Sequence, residues 1–444
     1  MTTLPPNHPQ RFALAEEAHA RPPEPLEVPS RATHVAVLVD HDDRERERAH
    51  LALLCEQFGV APPGRGVTHF SAQLGPLRVK WERHGEFSGY TFFTPGRSPE
   101  PFSQPPAELL PAGWLAGLPG HTIVAAHAKL VPAEDGVPDA AFLARHFNGN
   151  IAVGASVGDG AGMAFTDFRI HQDGCARFLV LDRSFTPRQA GRTLQRLFEI
   201  EVYRMLALLA LPIARSQSAR IVAIEKSLAA LTDAIARETA GVPLKTSSVA
   251  DDEALLHELT RLAAEVESGL AASQFRFGAC RAYFELVSTR ISELREKRLA
   301  GIQTIGGFMA RRFTPAVATC TTVSQRLHDL SERVAQASAL LSTRVDITRE
   351  RQNQALLASM DRRAKLQLRL QQTVEGLSVA AIVYYVAGVI GYVAKGLKAG
   401  GVHIDPDLTV GLVIPVVAVL VMLGLRRAHQ RIANAERSAA TPPH

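Results

Sequence analysis

The chain has 444 residues, a formal net charge of +5 and 46% hydrophobic residues. This length predicts two or three domains, and the composition excludes a disordered, collagen-like or disulfide-rich chain. The lysines and arginines are not gathered into long blocks with interleaved aromatic residues, so we expect no nucleic-acid partner. The first residues, Met1 to Pro6, contain neither a basic nor an apolar segment, which argues against a secretory signal.

Residues 1–30 are rich in proline and are predicted to be an extended strap that packs on the domain after it. Residues 31–185 combine two short helical patterns, Asp42–Phe58 and Pro138–Phe147, with alternating runs typical of strands. The predicted fold class is α+β, with an N-terminal α/β domain on a mixed or largely antiparallel sheet. The predicted strands are Thr33–Val39, Val67–Leu74, Leu77–Arg83, Ser88–Thr94, Thr122–Val131, Ile151–Val157, Met163–His171 and Ala176–Leu181.

The N-terminal region carries few motifs with a known chemistry. No Gly-Lys-Ser/Thr sequence follows the glycine-rich segment Gly154–Gly162, so this segment is interpreted as a connection between two strands and not as a phosphate loop. The four cysteines form no Cys-x-x-Cys pair, which predicts reduced thiols, no metal site and no cofactor. The most suggestive polar group consists of Glu17, His19 and Arg21, and for it a structural role competes with a catalytic one. We therefore do not expect an enzyme.

Residues 186–373 are predicted to form a helical stalk. Helical spacing runs from Pro187 to Glu238 and again from Asp251 to Leu299, the segment Gly301–Gly307 interrupts it, and a third helix begins at Thr314. The apolar residues of the third helix alternate at spacings of four and three, which is a coiled-coil seam. Its partners are either the two preceding helices or further copies of the chain. The seam comprises Val323, Leu327, Leu330, Val334, Ala337 and Leu341.

Two long apolar segments follow near the C-terminus. Residues 374–395 include 19 successive residues without a charge, and residues 408–426 include 18. A helix of 19 residues is about 28 Å long, which is close to the hydrocarbon thickness of a bilayer. We predict two transmembrane helices, joined by an external loop at 396–407 and followed by a basic cytoplasmic tail at 427–444.

The charges that flank these segments predict their orientation. Basic residues concentrate before the first span and after the second, whereas the two lysines of the loop are offset by two aspartates. We therefore expect a multi-pass protein of a bacterial inner membrane with both termini in the cytoplasm. The flanking residues are Arg362, Arg363, Lys365, Arg369, Arg426, Arg427 and Arg431, and those of the loop are Lys395, Lys398, Asp405 and Asp407.

The first predicted span carries small residues and tyrosines. A small-xxx-small pair lets helix backbones approach closely, and a tyrosine hydroxyl at membrane depth needs a partner or water. Two interpretations stay open, namely helix packing alone or a face that lines a pathway. The candidate residues are Tyr384, Tyr385, Ala387, Gly388, Gly391, Tyr392 and Lys395.

Three stretches carry a resemblance that covers nearly the whole chain. They read HPQRFALAEEAHARP, TDFRIHQDGCARFLVLDRSFTPRQAGRTLQRLFEIEVYRMLALLALP and TVEGLSVAAIVYYVAGVIGYVAKGLK. Together they resemble a bacterial family of uncharacterised, membrane-anchored proteins with a domain of unknown function. This resemblance implies a membrane anchor and no particular activity.

The order of the segments is similar to that of the CorA-type magnesium transporters. That resemblance implies a pentamer in which the first span lines the pore. In that family the span ends in Gly-Met-Asn, whereas this chain has Gly391-Tyr392-Val393 at the corresponding place. Lys395 adds a positive charge that repels a hydrated cation, which Asp405 and Asp407 offset. The departure from the motif puts magnesium in doubt as the transported ion.

Two functional hypotheses follow. The first is an oligomeric, CorA-like ion channel or transporter that lacks the Gly-Met-Asn motif. The alternative is a membrane-anchored sensor or scaffold with a coiled-coil stalk and no transport activity. The expected partners are the lipid bilayer, further copies of the chain (five if CorA-like) and, for the channel, an inorganic ion.

Overall fold

The chain forms two compact units in the computed structural model. The first comprises Met1–Ser247 and Glu253–Leu340, and the second comprises Ser248–Asp252 and Leu341–His444. The residues that the structure describes are 5–17, 22–134, 136–239, 249–401 and 405–439.

An eight-stranded sheet forms the N-terminal part of the first unit. The strand order is β2-β3-β4-β1-β5-β8-β7-β6, and β5 with β8 is the parallel pair among otherwise antiparallel neighbours. The predicted α+β class and the mixed, largely antiparallel sheet are therefore confirmed. The strands are β1 (Ser30–Leu38), β2 (His69–Leu74), β3 (Leu77–Arg83), β4 (Phe87–Pro95), β5 (His121–Pro132), β6 (Val153–Val157), β7 (Gly162–Thr166) and β8 (Ala176–Asp182).

Strand β7 ends at Thr166, before the predicted end at His171. Asp167 turns the chain there, because its Oδ1 accepts a hydrogen bond from the backbone N–H of Arg169 at 3.2 Å. The next residue, Phe168, has a φ of +52°, which no strand residue adopts. The prediction of a longer strand is wrong for this reason.

Three short or medium α-helices precede α4 in the part of the chain that the structure describes. The first of them lies within the predicted proline-rich strap, so the expectation of an extended segment is wrong for those residues. The second and third agree with the predicted helices to within a few residues. They are α1 (Arg11–Glu17), α2 (Arg44–Gln57) and α3 (Ala140–His146).

The C-terminal part of the strap packs closely on the helix that follows the sheet, α4 (Pro187–Leu208). The N–H of Leu26 donates to the carbonyl oxygen of Pro187 at 2.9 Å. A Cβ at Gly191 would lie 1.7 Å from the carbonyl oxygen of Glu24. Only glycine permits this approach, so Gly191 allows the backbone of the strap to lie directly on α4.

The predicted helix from Pro187 to Glu238 is in fact two helices. α4 ends at Leu208, and α5 (Ala210–Thr239) begins after a one-residue break. Pro212 explains the break, since proline has no N–H to donate to the carbonyl four residues earlier and its ring crowds that carbonyl. The apolar periodicity continues across this proline and therefore predicted no break there.

Two further predictions in the helical region need correction. α6 (Val249–Leu294) ends before the predicted Leu299, because Arg295 has a φ of +51°. A short helix, α7 (Ile305–Arg312), begins inside the segment predicted as an interruption. The side chain of Thr304 caps it by accepting a hydrogen bond from the N–H of Gly307 at 3.0 Å.

α8 spans Thr314–Ala399, which is 86 residues, and has no interruption, as predicted. All six residues of its coiled-coil seam are buried. A Cβ at Gly269 of α6 would lie 3.7 Å from Cδ2 of Leu327 in the seam. Arg326 also forms an ion pair with Glu225 of α5 at 2.8 Å. Within the first unit, α5 and α6 therefore pack against the seam of α8.

The second unit contains the C-terminal part of α8 and the helix α9 (Pro406–Ala439). The two helices touch where a Cβ at Gly391 would lie 3.0 Å from Cγ2 of Val410. α8 continues a few residues into the predicted external loop, and α9 continues into the predicted tail at 427–444. Large apolar side chains are exposed on α8 from Leu377 to Leu397 and on α9 from Leu408 to Leu423.

Candidate functional site

The N-terminal motif of the sequence analysis is only partly visible. Glu17 is the last residue of α1, and its side chain lies outside the described residues. His19 and Arg21 also lie outside them. Among the described residues, no group of three or more His, Cys, Asp or Glu side chains is placed to hold a metal ion.

The glycine-rich segment is a connection between strands, as predicted. Gly158–Gly160 forms one 3₁₀ turn between β6 and β7, and Gly158 and Gly160 have positive φ angles. A Cβ at Gly154 would lie 2.3 Å from the ring of Phe165, so glycine is needed here for packing. The four cysteines are free and buried, which agrees with the predicted thiols.

One helix among the described residues is long and apolar enough to cross a membrane. It lies within the helical segment Ile305–Ala399, which comprises α7, Phe313 and α8, and 11% of its most apolar 18-residue window is buried. A shorter apolar helix runs over Val410–Gly424 within α9. Length and composition alone carry this assignment.

The membrane candidates of α8 lie on different sides of the helix. Ala387 and Gly391 lie on the side that packs against α9, and Ala387 is buried there. Tyr385, Gly388 and Tyr392, at spacings of three and four, share a second side that is exposed. The first pair therefore contributes to helix packing, and the second set lies along an exposed groove that Val410 and Ile414 of α9 also line.

The tyrosines of α8 expose most of their surface. Tyr385 is 72% exposed and Tyr392 is 79% exposed, and Tyr384 touches Tyr385 edge to face with ring centroids 5.8 Å apart. Their hydroxyls have no hydrogen-bond partner among the residues that the structure describes. Lys395 and Asp407 line the same groove beside α9 as these tyrosines.

A second candidate site, which the sequence analysis missed, lies inside the first unit. It is a cleft between α4 and the strands β1, β3 and β4, and it measures about 530 Å³ including its open side. We call it the α4 cleft. Its apolar walls are Phe87, Phe93, Leu194, Phe198 and Val202, and its polar lining includes Glu24, His34, Lys80, Glu82, His84, Thr91, Gln195, Glu199 and Tyr203.

His34 lies at the floor of the α4 cleft and is 6% exposed. Its ring stacks on Phe198 with centroids 4.8 Å apart, and its Nδ1 lies 2.8 Å from Oγ1 of Thr91. The other ring nitrogen, Nε2, is buried without a hydrogen-bond partner among the described residues. Burial, with the nearby positive charge of Lys80, lowers the pKa of His34 from 6.5 to about 3, so the ring is neutral at physiological pH.

Lys80 supplies the positive charge of the α4 cleft. Its Nζ lies 2.8 Å from the carboxylate of Glu82 and donates to Oε1 of Gln195 at 3.2 Å. Gln195 in turn donates to Glu199 at 2.8 Å, and Glu199 pairs with Arg290. The buried ammonium is therefore held by a network that leads from β3 through α4 to α6.

A buried polar cluster outside the α4 cleft follows β7. His171 Nε2 lies 2.9 Å from Oδ2 of Asp167, and Asn150 donates to the same oxygen at 2.9 Å. Cys175 lies nearby, and burial raises the pKa of its thiol to about 11, which leaves it protonated and a poor nucleophile. This cluster holds the loop between β7 and β8.

The chain was compared with known proteins at the level of families, curated proteins and solved structures. The family model described as "Protein of unknown function (DUF3422)" matches residues 6–432. Neither the search of curated proteins nor the search of solved structures gave a match. No comparison supports the likeness to the CorA-type transporters, whereas the expected membership of an uncharacterised family is confirmed. The chain belongs to the DUF3422 family of proteins of unknown function.

Proposed function

We propose that this protein is a homo-oligomeric integral membrane protein of a bacterial inner membrane, in which α8 lines a pathway for an inorganic ion. The observation that carries the proposal is the open side of α8 with Tyr385, Gly388 and Tyr392. In this arrangement α8 and α9 both cross the bilayer, and the large first unit lies in the cytoplasm.

The apolar surface of the second unit supports a membrane location. A soluble helix pair covers its large apolar side chains, because their exposure to water is unfavourable by about 25 cal/mol per Å². Here such side chains are exposed on both helices, from Leu377 to Val393 on α8 and from Leu408 to Leu423 on α9. A bilayer covers them without any further protein.

The tyrosine side of α8 supports an oligomer with a hydrated or polar interior. A hydroxyl without a partner in hydrocarbon is unfavourable by about 1–3 kcal/mol on mutational scales. Tyr385 and Tyr392 would both meet this penalty if they faced lipid. A second copy of α8, or water between the copies, satisfies them. Gly388 between the two leaves room for either.

The proposed topology predicts where an introduced cysteine is reached from outside the cell. The native cysteines are all buried, so they give little background labelling. We expect a membrane-impermeant maleimide to label the Lys398→Cys variant in intact cells. We expect the Arg363→Cys variant, on the exposed cytoplasmic part of α8, to be labelled only after permeabilisation. Labelling of both variants to the same extent in intact cells would contradict the topology.

Mass and ion flux test the oligomer and the pathway. We expect the protein in detergent to have a mass that is a multiple of 48.1 kDa, with about 240 kDa for the pentamer that the CorA likeness implies. In liposomes, Gly388→Leu is expected to reduce ion flux by at least about tenfold, because the larger side chain narrows the tyrosine side. The matched control is Val393→Leu, at an exposed position of α8 that does not line the groove beside α9. A monomer, or equal flux in both variants, contradicts the pathway.

A membrane-anchored sensor or scaffold is the second candidate function. The α4 cleft favours it, because a cleft with buried polar groups in the soluble unit is suited to binding a small molecule. The absence of the Gly-Met-Asn motif at Gly391-Tyr392-Val393 points the same way. An oligomer of stable mass that gives no flux for any inorganic ion would favour this candidate.

A further inference from the structure

The α4 cleft contains a hydrogen-bonding atom that the protein itself does not use. His34 is held on one side by Phe198 and on another by Thr91, and its Nε2 has no partner. Gly89, which also lines the cleft, lies against the ring: a Cβ there would be 3.2 Å from Cε1 of His34. A buried polar atom without a partner costs about 1–3 kcal/mol, so its presence next to a cleft points to a ligand.

The tautomer of His34 follows from its neighbour. Thr91 is buried, and its hydroxyl has His34 Nδ1 as its hydrogen-bond partner. A buried hydroxyl needs an acceptor for its proton, so the Thr91 hydroxyl donates and Nδ1 accepts. The proton of the neutral ring is then on Nε2. The unpartnered atom of His34 is therefore an N–H donor.

Lys80 offers a second donor to the same cleft. An ammonium group has three N–H bonds. One is used by Gln195, and the ion pair with Glu82 uses another. The third has no partner among the described residues, and Lys80 is itself buried. Nε2 of His34 and one N–H of Lys80 are thus two donors of the cleft that call for an acceptor oxygen.

The charges around the cleft are already balanced. Lys80 pairs with Glu82, and the remaining carboxylates that line the cleft pair with arginines: Glu199 with Arg290 and Glu24 with Arg78. A ligand that brought a further negative charge would leave that charge buried and uncompensated, which is unfavourable. A carbonyl oxygen accepts hydrogen bonds without a net charge.

We propose that the α4 cleft binds a small, neutral carbonyl compound with a short apolar body, such as a primary amide or a lactone. Its oxygen accepts from Nε2 of His34 and from Nζ of Lys80. Its apolar body packs against the walls that Leu194, Phe198 and Val202 provide. This inference concerns the first unit alone and does not depend on the proposed function of the second.

Two probes of the same size and shape test the chemistry on the unmodified protein. Butanamide and butanoate differ in the neutral amide and the charged carboxylate at pH 7.5. We expect calorimetry on the full chain in detergent to show saturable binding of butanamide, with butanoate at least about tenfold weaker. No saturable binding of butanamide, or binding of butanoate as tight as that of butanamide, overturns the proposal.

Variants then locate the bound amide. His34→Phe keeps an aromatic ring on Phe198 and removes the donor, so we expect butanamide binding at least about tenfold weaker. His121→Phe is the matched control, because His121 is an exposed histidine at the start of β5. Equal weakening in both variants, or none in His34→Phe, places the amide elsewhere and overturns the proposal. If His34→Phe does not fold, the comparison of the two probes on the unmodified protein still decides.

Discussion

Replacing Glu47 with alanine is expected to destabilise the N-terminal sheet by about 3–5 kcal/mol. Glu47 lies on α2 and is 0% exposed. Its Oε1 accepts from Nε1 of Trp81 at 3.0 Å and from the hydroxyl of Tyr90 at 2.9 Å, and Arg44 lies 3.4 Å from its Oε2. Alanine leaves the buried donors of Trp81 and Tyr90 without this acceptor, in the core that Leu51 and Leu54 also fill, and removes one partner of the half-buried Arg44.

The loss can be measured by urea unfolding with tryptophan fluorescence. The chain has two tryptophans, Trp81 and Trp114, and both lie in the core around Tyr90, so the signal reports on this domain. We expect Glu47→Gln to be intermediate, because its amide keeps one acceptor oxygen.

The control for Glu47 is a second carboxylate on the same helix. Glu45 pairs with Arg48 at the surface of α2, so Glu45→Ala is expected to leave the unfolding midpoint unchanged. A midpoint for Glu47→Ala equal to that of Glu45→Ala would show that the buried carboxylate contributes nothing to stability.

Periodicity predicted most of the secondary structure. Strand β3 has the predicted bounds Leu77–Arg83, and α8 runs without a break from Thr314. In both segments the constant spacing of the apolar residues is compatible with only one type of secondary structure. The predicted bounds were wrong where a local contact or a proline overrides the periodicity. β7 stops where Asp167 binds the backbone ahead of it, and Pro212 divides a helical pattern that is otherwise continuous.

The role of single polar residues was harder to predict. Glu47 belongs to the run RERER, which is typical of a solvated helix surface, and only the positions of Trp81 and Tyr90 in the fold make it a buried acceptor. Likewise, His34 and Gln195 are far apart in the sequence and meet only where α4 crosses the sheet. Arg78, Lys80 and Glu82 alternate with Leu77, Val79 and Trp81 in β3, which is the ordinary pattern of a strand with one solvated face and gave no signal of a buried polar site.

The candidate residues of the apolar part of α8 could be named from the sequence, because their residue types differ from the aliphatic residues around them. Small and aromatic residues stand out in an aliphatic run, so Ala387, Gly391 and Tyr385 were all identified. The helical period then separates them, since Ala387 and Gly391 lie on the side of α9 and Tyr385 does not. Packing therefore describes the side of Ala387 and Gly391, whereas the pathway is our proposal for the exposed side.

Acidification is expected to destabilise the first unit through His34. The folded-state pKa of about 3 lies below the ordinary value of 6.5. Between these values the unfolded chain binds a proton that the folded chain does not, so stability falls as the pH falls. The contribution of His34 is fully present above pH 7 and is lost by about 1.4 kcal/mol per pH unit well below 6.5. From pH 7.5 to pH 5 the expected loss is about 2 kcal/mol.

His34→Phe isolates this contribution from the other titrating groups. Burial also lowers the pKa of His127 and His146, and raises that of Glu296, so the unmodified protein reports a sum of effects with different signs. The variant keeps those groups and removes His34. We therefore expect urea midpoints at pH 7.5 and pH 5 to differ less in His34→Phe than in the unmodified protein, by the equivalent of about 2 kcal/mol. The same pH dependence in both proteins would mean that His34 is hydrated or charged in the folded state, which would contradict the neutral, buried ring assigned to the α4 cleft.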